Sequence, residues 1–295
     1  MTQKQYKPSY LHLKNKWSDR KAQIEKSLVE RHQESIDWLH HTTKHMMVGA
    51  AASVLMLSHP ATTTVLAQTF QPKQDQPVKV ATVHTREQLV SDLKTLLPAG
   101  IDVLTPEQDQ AVAQKLQEYF HLATAPELEG KRLDRTYGII GAEQHLMRYP
   151  GDTIDTHFAT PEEAKYISSG MAPGRGAWGY FAPSAAEMTQ KDVEREKYYL
   201  AVQTFLAPGW KDDVNGHYKF FKHRKMIIVN PENGKGMVVV IGDAGPAPFT
   251  GKHLGGSPEV MSYLERQDGG AKGPVLYYFI NDPNDSVPLG PIEIQ

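Results

Sequence analysis

The sequence contains no cysteine, which excludes disulfide bonds, thiolate metal sites, a cysteine nucleophile and a lipid anchor on cysteine. Acidic and basic residues are nearly balanced, since the formal net charge of the 295 residues is −2. Such a chain has no general attraction for a polyanion, so we expect no nucleic-acid partner. The sequence also lacks a Gly-x-Ser-x-Gly elbow, a His-Glu-x-x-His pair and a P-loop. We therefore predict no cofactor.

Long apolar stretches are rare as well, and the notable uncharged run is residues 46–57. This run is short for a spanning helix, which needs about 20 residues, and it matches the core of a signal peptide. Basic residues precede it, so the chain after it is expected outside the membrane. Residues 1–67 are thus predicted to be a basic helix followed by a membrane anchor, or by a signal peptide cleaved near Ala67. The alternative is a buried helix of a soluble domain.

The basic part, residues 1–45, carries an amphipathic pattern that fits either a solvated helix or a helix lying on an anionic membrane surface. Residues 68–80 are rich in glutamine and proline, which indicates a linker. Two helix starts follow. Thr85 with Gln88 is a capping-box pattern, and Thr105 precedes a proline at the first helical position. The region 81–186 is therefore predicted to contain a helical hairpin and a loop rich in glycine and aromatic residues.

The most informative stretch is a predicted β-hairpin and the two turns that follow it. Its apolar runs at 226–229 and 237–241 are joined by a polar turn with proline, asparagine and glycine. The second run leads into Asp243-Ala244-Gly245-Pro246, and Gly251-Lys252-His253-Leu254-Gly255-Gly256-Ser257 comes next. This order of hairpin, D-x-G-P and G-K-x-L-x-x-S resembles the double-psi β-barrel domain of the rare lipoprotein A and expansin-like group.

The resemblance covers the last third of the chain and implies a six-stranded double-psi β-barrel over residues 187–295. Strands are predicted near residues 198, 226, 237 and 275. With the helical module, the predicted fold class is α+β. The resemblance also implies a cell-envelope protein whose barrel contacts peptidoglycan or a related glycan. Two positions depart from the group's pattern: Ala244 replaces its arginine, and Gly255 stands where it has a second aspartate.

Asp243 and His253 are the candidate catalytic residues. Asp243 is expected at a strand end, where apolar neighbours would raise its pKa and make it a general acid for a glycosidic oxygen. The alternative is a turn aspartate that accepts backbone N–H groups, which would lower its pKa. His253 is a candidate proton-transfer group in place of the missing aspartate, or else a surface residue. Gly245 and Ser257 belong to the same two turns and are candidate ligand-binding residues.

Aromatic side chains and histidines ahead of the barrel are further candidates for ligand binding. Trp178 and Tyr180 lie in a glycine-rich loop, where ring faces would stack on a sugar. His217 and Tyr218 flank the hairpin and are candidates for lining the same groove. The alternative for the aromatic loop is packing over the barrel.

A group of acids and histidines lies before this loop: Glu143, His145, Asp152, Asp155 and His157. Nitrogen and oxygen ligands of this kind bind metals, but the spacing matches no ligand motif, so we predict a polar loop and no metal.

The sequence leaves three functions open. The first is a membrane-anchored or secreted barrel on the extracytoplasmic face that binds glycan without cutting it. The second is a lytic-transglycosylase-like or glycoside-cleaving enzyme with Asp243 as general acid. The third is a structural or interaction barrel with no glycan ligand.

Overall fold

The computed structural model describes residues 84–266 and 273–295, which all belong to one compact unit, Gln76–Gln295. The predicted basic helix, the signal-like run and the linker therefore lie outside the described residues. Within 84–266 and 273–295, no helix combines the length and apolar character that crossing a membrane requires.

A helical hairpin comes first, as the capping patterns predict. Helix α1 (Arg86–Leu96) and helix α2 (Pro106–Phe120) both begin with a complete capping box, the first at Thr85 and the second at Thr105. In such a box two backbone N–H groups that have no partner inside the helix are satisfied by side chains. Leu89 and Leu116 point into an apolar layer that also contains Ile227 and Tyr278. The hairpin thus covers one outer face of the sheet that follows.

Six strands form a closed barrel of mixed direction, compatible with a double-psi barrel. They are β4 (Tyr137–Ala142), β5 (Tyr199–Val202), β6 (Lys225–Val229), β7 (Gly236–Ala244), β8 (Leu254–Gly256) and β9 (Gly273–Ile280). Around the ring the strand order is β4–β8–β5–β7–β6–β9, and β9 closes on β4. The β4–β8 and β5–β7 pairs are parallel and the other pairs are antiparallel.

Short strands extend the sheet beside the ring. Strand β1 (Thr124–Ala125) pairs with β9, and β10 (Gly290–Ile292) pairs with β7. Strands β2 (Glu127–Leu128) and β3 (Lys131–Arg132) form a separate hairpin. The predicted β6–β7 hairpin is confirmed, because Ile227 pairs with Val238 and Val229 pairs with Gly236.

Alternate residues of the ring strands fill the barrel interior. Ile228, Val239 and Phe279 belong to this inner core and are fully or almost fully buried. Their neighbours in sequence, such as Ile227 and Val238, belong to the layer under the helical hairpin. Because both faces of β6 and β7 are buried, these strands have continuous apolar sequences, as the two apolar runs indicate.

The barrel begins earlier than residue 187. Strand β4 lies at Tyr137–Ala142, inside the region predicted to hold only the helical hairpin and a loop. Its sequence includes Gly138 and Gly141, and glycine weakens the signal by which a strand is recognised. Its parallel partner β8 lies more than a hundred residues along the chain, so no local pairing pattern indicates it.

A long excursion between β4 and β5 covers the outer face of these strands. It and the later loops contain short helices and 3-10 turns. The helices are α3 (Ile154–His157), α4 (Pro161–Ala164), α5 (Gln190–Lys197), α6 (Val214–Phe221) and α7 (Pro258–Tyr263), and the 3-10 turns are Ile167–Ser169, Thr204–Leu206 and Pro248–Thr250.

Candidate functional site

Asp243 lies on the outer face of the barrel, in a row that crosses four strands. It pairs with Ala201, Ala201 pairs with Gly255, and Gly255 pairs with Gly141. The β5–β7 register skips Gly242, which is a β-bulge in β7. A bulge re-aims the side chain that follows it. Asp243 therefore shares the outward face of Ala201 instead of the inner face that strict alternation would give it.

The Asp243 carboxyl group is half-buried and held by two backbone amides. Its Oδ1 accepts hydrogen bonds from the N–H of Ala177 at 2.6 Å and from its neighbour Ala244 at 2.8 Å. Burial raises the pKa of Asp243, the two amides oppose this, and the nearby Glu143 carboxylate raises the pKa further. Because burial outweighs the amides, the pKa moves in the direction that suits a general acid.

A second carboxylate stands beside Gly255. A Cβ atom added at Gly255 would lie 2.1 Å from Oε1 of Glu143, the residue that follows β4. The same Oε1 lies 2.6 Å from Nζ of Lys252, which also donates to the carbonyl of Ala142 at 3.0 Å. Glu143 thus fills the space at the position where the resembling group has its second aspartate.

His253 is fixed to strand β4. Its Nδ1 accepts a hydrogen bond from the N–H of Ile139 at 2.9 Å, which requires Nδ1 to be unprotonated. Burial lowers the pKa of His253, and the charge of Arg135 lowers it further. A Cβ atom at Gly138 would lie 2.9 Å from its Cβ. His253 is therefore a neutral imidazole packed on β4, and its described contacts do not include the Asp243 carboxylate.

Trp178 is packed against the barrel, which is the alternative interpretation for the aromatic loop. Its side chain belongs to the inner core cluster and is 6% exposed. Its Nε1 donates to the carbonyl of Tyr218 at 3.1 Å. Tyr218 is 39% exposed, and its hydroxyl donates to the carbonyl of Ala177 at 3.2 Å. The Ala177 peptide therefore connects Tyr218 with Asp243, whereas the Trp178 ring presents no open face.

Ser257 and His217, two of the predicted ligand-binding residues, are both buried and engaged in structural hydrogen bonds. Ser257 caps helix α7, and its hydroxyl donates to the carbonyl of Lys197 at 2.6 Å. The two ring nitrogens of His217 face the carbonyls of Asp213 at 2.7 Å and of Pro208 at 3.0 Å. Serine is a common N-cap residue, and the sequence Ser257-Pro258-Glu259 has the pattern of a helix start.

Tyr180 and Gly245 remain accessible. Tyr180 is half-buried, and the guanidinium of Arg175 lies 5.5 Å from the centre of its ring. Gly245 precedes Pro246 in a cis peptide bond, and a Cβ atom added at Gly245 would meet no atom within 4 Å. The turn beside Asp243 is therefore open on this side.

Phe249, which the sequence reasoning missed, is an exposed aromatic residue close along the chain to this turn. The turn is Asp243-Ala244-Gly245-Pro246, and Phe249 follows it after two residues. It lies on the 3-10 turn Pro248–Thr250 and is 92% exposed. Single exposed apolar residues are common on proteins, so the interest of Phe249 comes from its place beside the Asp243 turn.

The exposure of Phe249 decides what its ring can do. A ring with almost its whole surface in water adds nothing to the core, so it is free to contact another molecule. The sequence signal for it was an aromatic residue among turn-forming residues, in P-A-P-F-T.

A second group of ionisable side chains is fully buried under the excursion between β4 and β5. Nδ1 of His145 lies 3.1 Å from Oε1 of Glu196, and Nε2 of His157 lies 3.3 Å from Oε2 of the same carboxylate. All three side chains are at most 2% exposed. Both histidines are buried, and their shared partner Glu196 comes from helix α5.

Two further carboxylates stand behind the histidines. Asp152 Oδ2 lies 2.8 Å from Nδ1 of His157, and Glu259 Oε2 lies 3.8 Å from Nε2 of His145. Arg148 is buried beside them and donates to the carbonyl of His157 at 2.7 Å. Glu143 and Asp155, which the sequence placed in the same group of acids and histidines, lie outside this cluster. Glu143 pairs with Lys252 near Asp243, and Asp155 is exposed.

The buried groups shift one another's pKa values. Burial acts to raise the pKa of Glu196, but hydrogen bonds from His145 and His157 outweigh it and lower the pKa to about 2. Burial acts to lower the pKa of His157, but its contacts with Asp152 and Glu196 raise the pKa to about 9. Burial raises the pKa of Glu259 to about 7. The ionisable side chains of this cluster therefore interact strongly with one another.

Tyr199 joins the two groups on one face of the barrel. Its ring is buried, and its hydroxyl donates to the carbonyl of Gln144. Burial raises the pKa of Tyr199 well above its ordinary value, and four carboxylates add to this effect: Glu196, Glu143, Asp243 and Glu259.

Comparison of the chain with protein-family models, with curated proteins and with solved structures finds no match.

Proposed function

We propose that the barrel binds peptidoglycan or a related cell-envelope glycan on its outer face around Asp243. The observation that carries the proposal is the half-buried Asp243 carboxyl group beside an open turn at Gly245. Small residues allow a ligand to approach the backbone closely, and a carboxyl group accepts or donates hydrogen bonds to sugar hydroxyls. The resemblance of the hairpin and its turns to the rare lipoprotein A and expansin-like group also supports a glycan ligand.

Phe249 is the aromatic contact that we assign to this surface in place of Trp178. Sugar rings have apolar C–H faces that pack on aromatic rings, and a ring that is 92% exposed needs no rearrangement to offer its face. The hydroxyl of Tyr218, which donates to the carbonyl of Ala177, would add a polar contact.

Retention on purified sacculi tests this function. We expect the full chain to sediment with sacculi, and Asp243→Asn to weaken retention while Asp155→Asn, which changes an exposed aspartate elsewhere, leaves it unchanged. No retention of the wild-type chain would contradict glycan binding and favour a structural or interaction barrel.

Cleavage is the second candidate function, and the presence of Glu143 beside Gly255 favours it. In the proposed step, protonated Asp243 transfers its proton to the glycosidic oxygen as the bond to the anomeric carbon breaks. In a lytic reaction a hydroxyl of the same sugar then bonds to that carbon and gives its proton back to the Asp243 carboxylate, so no activated water is needed. Glu143 would stabilise the positive charge that develops at the anomeric carbon.

Digestion of purified sacculi separates cleavage from binding. General acid catalysis contributes about 10²–10⁴-fold, so Asp243→Asn is expected to lower the rate by at least that range. Anhydro ends on the product would indicate the lytic reaction, and reducing ends would indicate hydrolysis. Equal rates for Asp243→Asn and wild type would contradict the role of Asp243 as the acid.

Export and membrane anchoring are a separate proposal that rests on the uncharged run at residues 46–57 and its basic flank. Fractionation of the tagged full chain tests it. We expect the protein in the membrane fraction, exposed on the extracytoplasmic face, or secreted after cleavage near Ala67. The intact chain in the soluble cytosol would contradict it.

A further inference from the structure

The buried histidine and carboxylate cluster has the donor set of a metal site. Two imidazoles and one carboxylate are a common ligand set for zinc in proteins. One nitrogen from each of His145 and His157 and one oxygen of Glu196 all lie within 4.8 Å of one another. These residues come from different parts of the chain, so the fold itself brings the three donors together.

The distances agree with coordination of a small cation. Ligand atoms about 2.0–2.2 Å from a tetrahedral zinc ion lie about 3.3–3.6 Å from each other. The nitrogens of His145 and His157 that face Glu196 lie 3.1 Å and 3.3 Å from its oxygens. These contacts go to different oxygens of Glu196, and the three donors lie within 4.8 Å of one another, so binding an ion requires side-chain movements of up to about 1 Å.

The groups behind the histidines are those that a metal site requires. A metal-binding imidazole usually donates its other N–H to a carboxylate or a carbonyl group. Nδ1 of His157 lies 2.8 Å from Asp152, which also accepts the N–H of Arg148 at 2.9 Å. When Nε2 of His157 binds a cation, its proton sits on Nδ1 and donates to Asp152.

Two buried atoms that have no hydrogen-bond partner point to the same arrangement. Nε2 of His145 and Oε2 of Glu259 are both buried and unpartnered, and they face each other at 3.8 Å. A cation on Nδ1 of His145 places the ring proton on Nε2, where it is directed at Glu259. Metal binding therefore makes Nε2 of His145 a donor that is directed at the unpartnered Glu259 carboxylate, and a closer approach of the two atoms would complete a hydrogen bond.

The cluster is rich in buried acidic groups. Those of Asp152, Glu196 and Glu259 surround the two histidines. Buried charges are costly unless they are paired, and a bound cation would pair with these carboxylates.

We propose that His145, His157 and Glu196 bind one divalent transition-metal ion, zinc by preference, with Asp152 and Glu259 orienting the two histidines. The ion ties helix α5 to helix α3 and to the segment that follows β4. It lies on the same barrel face as Asp243 and stabilises the covering of that face. The site does not depend on the proposed glycan function.

The test uses the full chain without an affinity tag. The protein is stripped with a chelator, loaded with zinc, passed through gel filtration and assayed for bound metal and melting temperature. We expect about one retained equivalent and a higher melting temperature for wild type. We expect both effects to be lost in Glu196→Gln, whereas Asp152→Asn should weaken binding about 10–100-fold. His121→Asn removes an exposed histidine, keeps a residue that tolerates the left-handed backbone there, and is the matched control.

If a variant fails to fold, spectroscopy of the zinc-loaded wild type still tests whether histidines bind the ion. X-ray absorption of the zinc-loaded chain should show a first shell of nitrogen and oxygen with two imidazoles. The proposal is overturned if wild type retains no zinc, if a folded Glu196→Gln retains it equally, or if the first shell lacks two imidazoles. Each of these outcomes would leave the cluster as a proton-bridged ion network.

Discussion

The carboxylate of Glu143 occupies the space that any side chain at Gly255 would enter. The distance from Oε1 of Glu143 to a Cβ atom built at Gly255 is 2.1 Å, well below van der Waals contact. Strand pairing fixes this proximity, because β4 and β8 are parallel neighbours and Gly141 pairs with Gly255. The position of the Glu143 carboxylate therefore depends on residue 255 being glycine.

We predict that Gly255→Ala destabilises the protein by about 1–3 kcal/mol, the scale of an overpacked site. Urea unfolding of the purified chain measures this. Gly245→Ala is the matched control, because a Cβ atom there meets nothing within 4 Å. Adding Glu143→Ala to Gly255→Ala should recover much of the loss. A Gly255→Ala variant as stable as wild type would show that Glu143 moves aside freely.

Substitutions at Phe249 and Trp178 should have different effects, the first on glycan binding and the second on stability. Phe249→Ala should leave the unfolding free energy unchanged, because the ring is 92% exposed, and should weaken sacculus binding by about 1–2 kcal/mol. Trp178→Ala removes a ring that is 6% exposed and should cost about 3–5 kcal/mol of stability. Thermal unfolding and sedimentation with sacculi are measured on both variants. Loss of stability in Phe249→Ala would argue against an exposed ligand contact.

Lys225 and Asp282 form an ion pair whose loss should be costly. Nζ and Oδ2 lie 2.7 Å apart, and the two side chains are only 10% and 4% exposed. Lys225→Met leaves a buried carboxylate without its cation, which costs about 3 kcal/mol. Lys165→Met is the control, since its pair with Glu162 is exposed and should contribute nothing measurable. Equal unfolding midpoints for both variants would contradict the expected difference.

His223 should make the folded state sensitive to acid. Burial, together with the charges of Arg195 and Lys222, lowers the pKa of His223 from 6.5 to about 4. Between these pH values the unfolded chain binds a proton that the folded chain excludes, so stability falls as the pH falls. Stability should fall by about 2 kcal/mol between pH 7 and pH 4.5 because of this residue, and we expect His223→Asn to remove that part of the loss.

The control for this measurement is His121→Asn. His121 and His223 have φ angles of 52° and 55°, and asparagine tolerates this left-handed conformation. His121 is exposed, so its replacement should leave the pH dependence of the urea midpoint unchanged. Identical pH profiles for wild type and His223→Asn would contradict the assigned pKa shift.

Features specified by neighbouring residues could be predicted from the sequence. The capping boxes at Thr85 and Thr105 need only residues three positions apart, and the β6–β7 hairpin needs only two apolar runs and a turn. These interactions form within a short segment, so their patterns are visible in the sequence.

Features that depend on distant pairing could not be predicted in this way. Glu143 meets Gly255, and His145 meets Glu196, only after the barrel strands have come together. The outward direction of Asp243 depends on a bulge at Gly242, which appears only in the register of β7 against β5. Nothing in the local sequence of these residues indicates such partners.

The position of β4 has a consequence for how the protein can be divided. A fragment that starts at residue 187 lacks β4, and its β8 and β9 would each have a row of backbone amide and carbonyl groups without a partner strand. Unpaired edges of this kind recruit strands from other molecules, so such a fragment is expected to aggregate. Soluble recombinant pieces should therefore begin before Tyr137, and crystallisation trials or interaction screens should use those longer boundaries.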